Sequence, residues 1–281
     1  MIIGISGKIG SGKDTIGKII QYLTMVDFKT MNLLRNEDGS KVTFEQHFLN
    51  NIYLQSYSNW QIKKFADKLK ECVSLILNIS REDLEKIEVK NRILGEEWTR
   101  YGYADYFYRD MNGTPIMNNK QCSKEEYEEH YKINWQTTYK HEYTVRDILQ
   151  LFGTEACRNQ IHTNFWVNAL FSEYTGKTEK WDCDGNSILD IYPNWIITDM
   201  RFPNELEAVK KREGITIRCN RTVFEQNGIK YKLNSNMDSQ SNHPSEIALD
   251  NATFDYTIDN NGTIGELIVK VKEILIKERI I

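Results

Sequence analysis

Apolar residues in this chain recur with two periods, and the alternation between them predicts the architecture. Compact apolar or alternating runs at Met1 to Ile5, Trp60 to Ala66, Asn194 to Asp199, Ile215 to Arg218 and Phe254 to Ile258 predict five strands. Helical spacing takes over between them. Ile16, Ile19, Ile20 and Leu23 predict a helix from Lys13 to about Met25. Asp67 can cap a helix through Leu69, Val73 and Leu77, and Ser80-Arg81-Glu82-Asp83 starts another that carries on to Lys90 and Arg92. Thr144 opens a helix with Val145, Ile148, Leu149 and Phe152 on its apolar side, and Phe165 to Tyr174 forms a further core-facing helix. Pro203 suits the first turn of a helix through Leu206 and Val209; Thr263 with Glu266 caps the last amphipathic helix. Strands interleaved with helices predict one α/β domain over residues 1–281. Its sheet is five-stranded and mainly parallel, with helices on both faces and the first strand central.

Two stretches fall outside this pattern. Residues 27–58 mix polar and aromatic residues around Asp38-Gly39 and read as an excursion. Residues 95–143 crowd ten aromatics, from Tyr101 to Tyr143, into a polar background and read as an insertion or small subdomain. Ser123-Lys124-Glu125-Glu126 is a capping box within it, and Asn112-Gly113 with Pro115 marks a turn. Such aromatics could stack bases, but Glu125, Glu126, Glu128 and Glu129 oppose that reading and favour local packing. They also prompt a hypothesis of homodimerisation through the insertion. A polar stretch from Asn220 to about Pro244–Ser245 is long enough for a lid or a small hairpin.

Gly7-Lys8-Ile9-Gly10-Ser11-Gly12-Lys13-Asp14-Thr15 joins the first strand to the first helix with the spacing of a phosphate-binding loop. Backbone N–H groups and a helix N-terminus can surround an anion there, and Lys13 adds a mobile charge. Asp14 stands where a Ser or Thr is usual, which moves the hydroxyl to Thr15; either could support magnesium. Asp199 ends an apolar strand at the ligand edge of the sheet, where it could organise a metal's water, hold a substrate group, or cap a helix with Arg201 as its salt-bridge partner. Lys68 and Lys70 start a helix at another strand end, as a phosphate site or a solvated face. Trp181 to Gly185 reads as a loop without the ligands of a calcium site, and His243 as a hydrogen-bonded residue rather than a metal ligand.

Composition narrows the class. With 40% apolar residues the chain can bury a sizeable core, and a formal charge of -4 gives no bulk attraction to nucleic acid. Five scattered cysteines without a CxxC pair suit reduced thiols, and no 18-residue apolar stretch or signal peptide occurs. The expectation is a cytoplasmic protein without nucleic-acid or membrane partners.

Several stretches, in their order, resemble the phage-type deoxynucleoside monophosphate kinases. They are Ser6-Gly7 through Thr15, Phe65-Ala66 to Lys70, Val145-Arg146 to Gly153-Thr154-Glu155, Phe165-Trp166-Val167, Thr198 to Glu205, Arg221, His243-Pro244-Ser245-Glu246 and Phe254 to Gly262. The resemblance implies a three-layer P-loop kinase fold and transfer of the ATP γ-phosphoryl group to a deoxynucleoside monophosphate with magnesium, in a host cytoplasm if phage-encoded. It implies Gly7, Gly10, Gly12, Lys13, Asp14, Thr15 and Arg221 around ATP. Around the acceptor it implies Lys70, Lys90, Arg146, Gly153, Trp166, Asp199, Arg201 and Glu205, and it gives Lys13, Asp199 and Arg201 the catalytic roles. Alternatives are another small-molecule P-loop kinase resembling dephospho-coenzyme A kinases, or a non-catalytic nucleotide switch. For a guanine-binding switch the nearest text to NKxD, Asn119-Lys120-Gln121-Cys122, ends in Cys.

Overall fold

The structure is a computed structural model that describes residues 1–25, 34–50, 58–109, 115–135, 138–181, 187–226, 229–232 and 244–281. Asn112-Gly113, Asp182 to Gly185 and His243 lie outside the described residues. The chain forms two compact units, residues 1–68 with 164–281 and residues 69–163.

In the first unit five strands, β1 (Ile2–Ser6), β2 (Trp60–Lys63), β3 (Asn194–Met200), β4 (Ile215–Asn220) and β5 (Tyr256–Asp259), pair in the order β5-β4-β1-β3-β2. Every pairing is parallel, as expected, and β1 is central. All of β1 is buried, which explains its unbroken apolar run. Helices follow four of the strands: α1 (Lys13–Met25) after β1, α2 (Ala66–Leu77) after β2, α3 (Pro203–Lys210) after β3 and α4 (Ile264–Lys277) after β5.

Period-two alternation sorts the strand side chains between two cores. Ile3, Ile5, Ile196, Ile217 and Ile258 meet Ile16, Ile19, Ile20 and Leu23 of α1 and Leu267, Ile268, Val271 and Leu275 of α4. Ile2, Trp195 and Ile197, joined by Met200 past an irregularity in the pairing of β1 with β3, meet Val167, Leu170 and Phe171 of the helix Phe165–Phe171 and Leu206, Ala208 and Val209 of α3. Each such aliphatic side chain contributes about 1.5–3 kcal/mol when fully buried. Part of the stretch read as an excursion joins the first core: Phe44–Asn50 is helical, and Phe48 is buried with its ring 5.3 Å from Tyr22.

The second unit packs around Val73, Ile79, Leu84 and Val145. Its other part is an antiparallel sheet of Arg100–Arg109 between Pro115–Cys122 and Thr138–His141, with the helix Lys124–Asn134. Ser123 and Glu126 form the expected capping box on that helix. Residues 95–143 leave and return at neighbouring backbone positions, since Leu94 N–H donates to Tyr143 O at 2.8 Å and Val145 N–H to Arg92 O at 3.2 Å. Tyr101 and Tyr103 are buried within this part, against Tyr127 at 5.1 Å and stacked on His130 at 3.6 Å.

Two helices differ from expectation. The helix expected from Ser80 to Arg92 is a 3-10 turn at Asp83–Glu85 and a short helix at Ile87–Lys90, broken at Lys86 (ψ 134°). Leu84 is its fully buried anchor; its i+3 neighbour Ile87 is 66% exposed and its i+4 and i+7 neighbours Glu88 and Asn91 are polar, so no buried apolar stripe holds one continuous helix. Thr144 and Asp147 cap the helix Val145–Gln150 as a box, but the continuation Leu151–Ile161 is π-helical, with an i to i+5 bond from His162 N–H to Cys157 O at 3.0 Å. Gly153 lies in this π turn, where a Cβ would fall 2.7 Å from Leu69 Cδ2. After β4, Val223–Gln226 and Ile229–Lys232 form a hairpin, the second of the two forms expected for that polar stretch. Among the described residues no helix is long and apolar enough to cross a membrane, and Cys72, Cys122, Cys157 and Cys219 are free thiols.

Candidate functional site

The loop between β1 and α1 is wound by glycines: Gly7, Gly10 and Gly12 have φ of 154°, 75° and 100°. At Gly12 the requirement is double, because a Cβ there would also fall 2.4 Å from Asn260 Nδ2. Asn260, just after β5, donates to Ser11 O at 2.8 Å, and the Cys219 thiol donates to the same carbonyl at 2.9 Å. The loop is thereby tied to the carboxyl ends of β4 and β5. Lys13 is buried at 8% exposure, and its ammonium donates to Gly7 O at 2.6 Å and Lys8 O at 2.8 Å. Burial, and secondarily the charge of Arg201, bring its pKa down to about 8 against the opposing charges of Glu246, Asp14 and Cys219. An amine in that state gains most from a polyanion.

Asp14 and Thr15 open α1. Asp14 Oδ1 accepts from Thr198 Oγ1 at 2.8 Å and pairs with Lys64 Nζ at 2.9 Å. Burial would raise its pKa, but these hydrogen bonds outweigh it and hold the carboxyl below the usual range. Arg221 Nη1 approaches Gly10 O at 3.4 Å, at the exposed rim of the loop.

The carboxyl end of β3 is a set of crossed carboxylates. Asp199 accepts the N–H groups of Phe65 and Ala66, at 2.8 and 3.0 Å, and so caps α2 from a strand 133 to 134 residues away. Burial raises its pKa, with the two N–H groups and Arg201 opposing. Glu205, 2% exposed, accepts Arg201 N–H at 2.7 Å and Phe202 N–H at 3.1 Å, which turns the chain from β3 into α3. The Arg201 guanidinium pairs through Nη1 with Glu246 Oε1. Glu246 Oε2 accepts the N–H of Ile9, in the phosphate loop, at 2.9 Å. Thus Lys13, Asp14, Asp199, Arg201 and Glu205 lie at adjoining ends of β1 and β3. Trp166 is 5% exposed in its helix, with Phe165 edge-on at 4.8 Å.

In the second unit, Lys70, Lys90 and Arg81 gather on one carboxylate. Lys70 Nζ reaches both oxygens of Glu85 at 2.8 and 2.9 Å, Arg81 pairs with Oε1, and Lys90 Nζ lies 3.7 Å from Oε2. Burial would raise the Glu85 pKa, yet the hydrogen bonds and charges of Lys70 and Arg81 take it down to about 2. Burial lowers the Lys90 pKa, and the positive fields of Lys70 and Arg146 lower it further. Arg146 Nε donates to Asn91 Oδ1 at 3.1 Å. The cations outnumber the carboxylate, so the cluster suits an anion. Gly153, whose close neighbour is Leu69, is in this unit too.

Three of these residues had no role from sequence. Glu246 stood only as the end of His243-Pro244-Ser245-Glu246, Glu85 as a position within the helix expected from Ser80, and Asn260 as part of the stretch Phe254 to Gly262. For Glu85 the signal was its i, i+4 spacing from Arg81.

Against known proteins, the model of a family described as deoxynucleotide monophosphate kinase matches residues 1–271. A deoxynucleoside-5'-monophosphate kinase of Escherichia phage T5 is 23% identical over 249 residues, covering 88% of this chain and 86% of that relative.

Proposed function

Because the chain belongs to the deoxynucleotide monophosphate kinase family, and is therefore a phosphotransferase acting on a deoxynucleoside monophosphate, we propose that its donor is ATP, held by the glycine loop and Lys13. The observation that carries this is the buried ammonium of Lys13, at the start of α1, bonded to two loop carbonyls, those of Gly7 and Lys8. Phosphate oxygens would replace those carbonyls as its partners, with the N-terminus of α1 adding its dipole. Arg201 places a cation beside Lys13 for charge developing on the transferred group, and Arg221 stands at the donor's rim.

On the acceptor side we assign Lys70, Lys90 and Arg146 to the phosphate of the deoxynucleoside monophosphate. Gly153, with no side chain, admits Leu69. Asp199 and Glu205 act on the acceptor through others: their carboxylates are bonded to backbone N–H groups and fix the start of α2 and the backbone of Arg201.

Magnesium in such sites takes one or two protein oxygens and completes its shell with phosphates and water. Asp14, with its side chain largely exposed, and Thr15 offer hard oxygens at the loop, and among the described residues no cluster of three or more acidic, His or Cys side chains forms a dedicated cage. The residue types fit, so Asp14 and Thr15 would hold the ion's water shell, and the ion would offset phosphate charge.

The pH dependence tests the donor assignment. Protonated Lys13 binds phosphate, so donor binding is complete below pH about 8 and is lost as pH rises through that value. Plotted against pH, kcat/KM for ATP should be level below about 8 and fall about tenfold per unit above it. A flat profile to pH about 9.5, together with an unchanged ATP KM in Lys13→Met, would remove Lys13 from the donor site.

A further inference from the structure

We propose that Glu246 is a positioning residue for phosphoryl transfer: its carboxylate fastens the crown of the phosphate loop to Arg201, so that the donor's cradle and the transition-state cation move as one body. The inference rests on the assignment of Arg201 to the transferred phosphate.

Glu246 divides its two oxygens between two functional elements. Oε2 accepts Ile9 N–H at 2.9 Å, from a residue 237 positions earlier, and Oε1 takes the guanidinium of Arg201, 45 positions earlier. The Glu246 side chain is 7% exposed and that of Arg201 is 34% exposed. A carboxylate this buried is costly unless both oxygens are satisfied, and here both are. Ile9 is itself 54% exposed, so hydrophobic burial does not hold the crown of the loop in place; the bond to Glu246 does so through the backbone.

This arrangement orients without touching phosphate. One edge of the guanidinium is consumed by Glu246, which fixes the plane in which the other donors lie. The second oxygen sets the peptide of Ile9 and, through it, the entry to Gly10-Ser11-Gly12. A shift of about 1 Å in a positioned cation costs on the order of 10²-fold in rate. A carboxylate shared by loop and arginine is a direct means of preventing that shift. It acts on the chemical step, and the Glu246 charge also raises the Lys13 pKa, so the test is made at pH about 6.5, where Lys13 stays protonated with or without that charge and keeps its ground-state hold on the donor.

Glu246→Gln separates the two functions. The amide oxygen still accepts Ile9 N–H, while the amide NH2 meets the guanidinium donor to donor and releases Arg201. The test is a double-mutant cycle on kcat with ATP and deoxynucleoside monophosphate, using wild type, Glu246→Gln, Arg201→Ala and the double variant, with thermal midpoints and ATP KM followed in parallel. The expected result is a loss of about tenfold in kcat for Glu246→Gln at nearly constant ATP KM, and no further loss when the change is made on Arg201→Ala. Wild-type or higher kcat for Glu246→Gln, or an equal loss in both backgrounds, overturns the proposal. If Arg201→Ala alone keeps wild-type turnover, the assignment of Arg201 fails instead. Should Glu246→Gln not fold, Ile9→Pro removes the N–H and asks the same question from the loop side: an unchanged kcat there overturns the coupling, and a fall in kcat at constant ATP KM supports it.

Discussion

Arg201→Ala should lower kcat about 10³-fold while KM for ATP changes by no more than a few-fold. Arg201 leaves β3 at its carboxyl end, its backbone is turned by the buried carboxylate of Glu205, and its guanidinium is anchored on one side by Glu246. It lies close enough to depress the Lys13 pKa, so both cations act on the same small volume. Two neighbouring cations are costly to hold together in the absence of an anion, and the cost is recovered as the transferred group develops charge on its equatorial oxygens. Removing Lys13 would weaken donor binding as well; removing Arg201 should act mainly on the transition state. The variant also leaves Glu246 with a single partner, so the thermal midpoint must be measured beside the rate. A fall in kcat with wild-type ATP KM is the expected pattern, and equal turnover would remove Arg201 from catalysis.

The second large effect is expected at Lys70. Lys70→Ala should raise KM for the deoxynucleoside monophosphate by about 10- to 100-fold, the value of a charge-assisted hydrogen bond to phosphate, with KM for ATP unchanged. Lys70 is 15% exposed and bonds both oxygens of Glu85. That carboxylate, held down at a pKa of about 2, keeps the lysines and Arg81 gathered without neutralising them all. In the variant Arg81 and Lys90 still face Glu85, so the unit should keep its fold. A rise in ATP KM of the same size would place Lys70 on the donor instead.

What the sequence could disclose follows from the range of the interactions. All five strands of the parallel sheet and the helix Lys13–Met25 were legible, because period-two and 3.6-residue patterns are local and each was reinforced by turn or cap residues. The phosphate loop was legible for the same reason: nine consecutive residues carry it. The break at Lys86 was not, since Ser80-Arg81-Glu82-Asp83 is a sound helix start and only the lack of a second buried residue after Leu84 opposes continuation. The π turn after Gln150 was also hidden, because it keeps helical side-chain spacing to within a residue.

The carboxylates were the least legible. Asp199, Glu205, Glu246 and Glu85 look alike in a sequence, and burial and partners separate them. Asp199 was expected to organise metal water or cap a neighbouring helix, and its two oxygens are spent on N–H groups at the start of α2. Glu246 gained a role only when a residue 237 positions away appeared beside it. Lys13 stood out from its place in the glycine loop, whereas Arg201 at a strand end read equally as a salt-bridge partner, and it does pair with Glu246.

The central claim is transfer of a phosphoryl group from ATP to a deoxynucleoside monophosphate, and ADP formation across a panel of acceptors tests it most directly. With ATP and magnesium, the purified chain should form ADP in step with a deoxynucleoside diphosphate for at least one of the four common deoxynucleoside monophosphates, and dephospho-coenzyme A should give no product. Nucleotide binding without diphosphate formation from any of them, or turnover of dephospho-coenzyme A alone, would contradict the account.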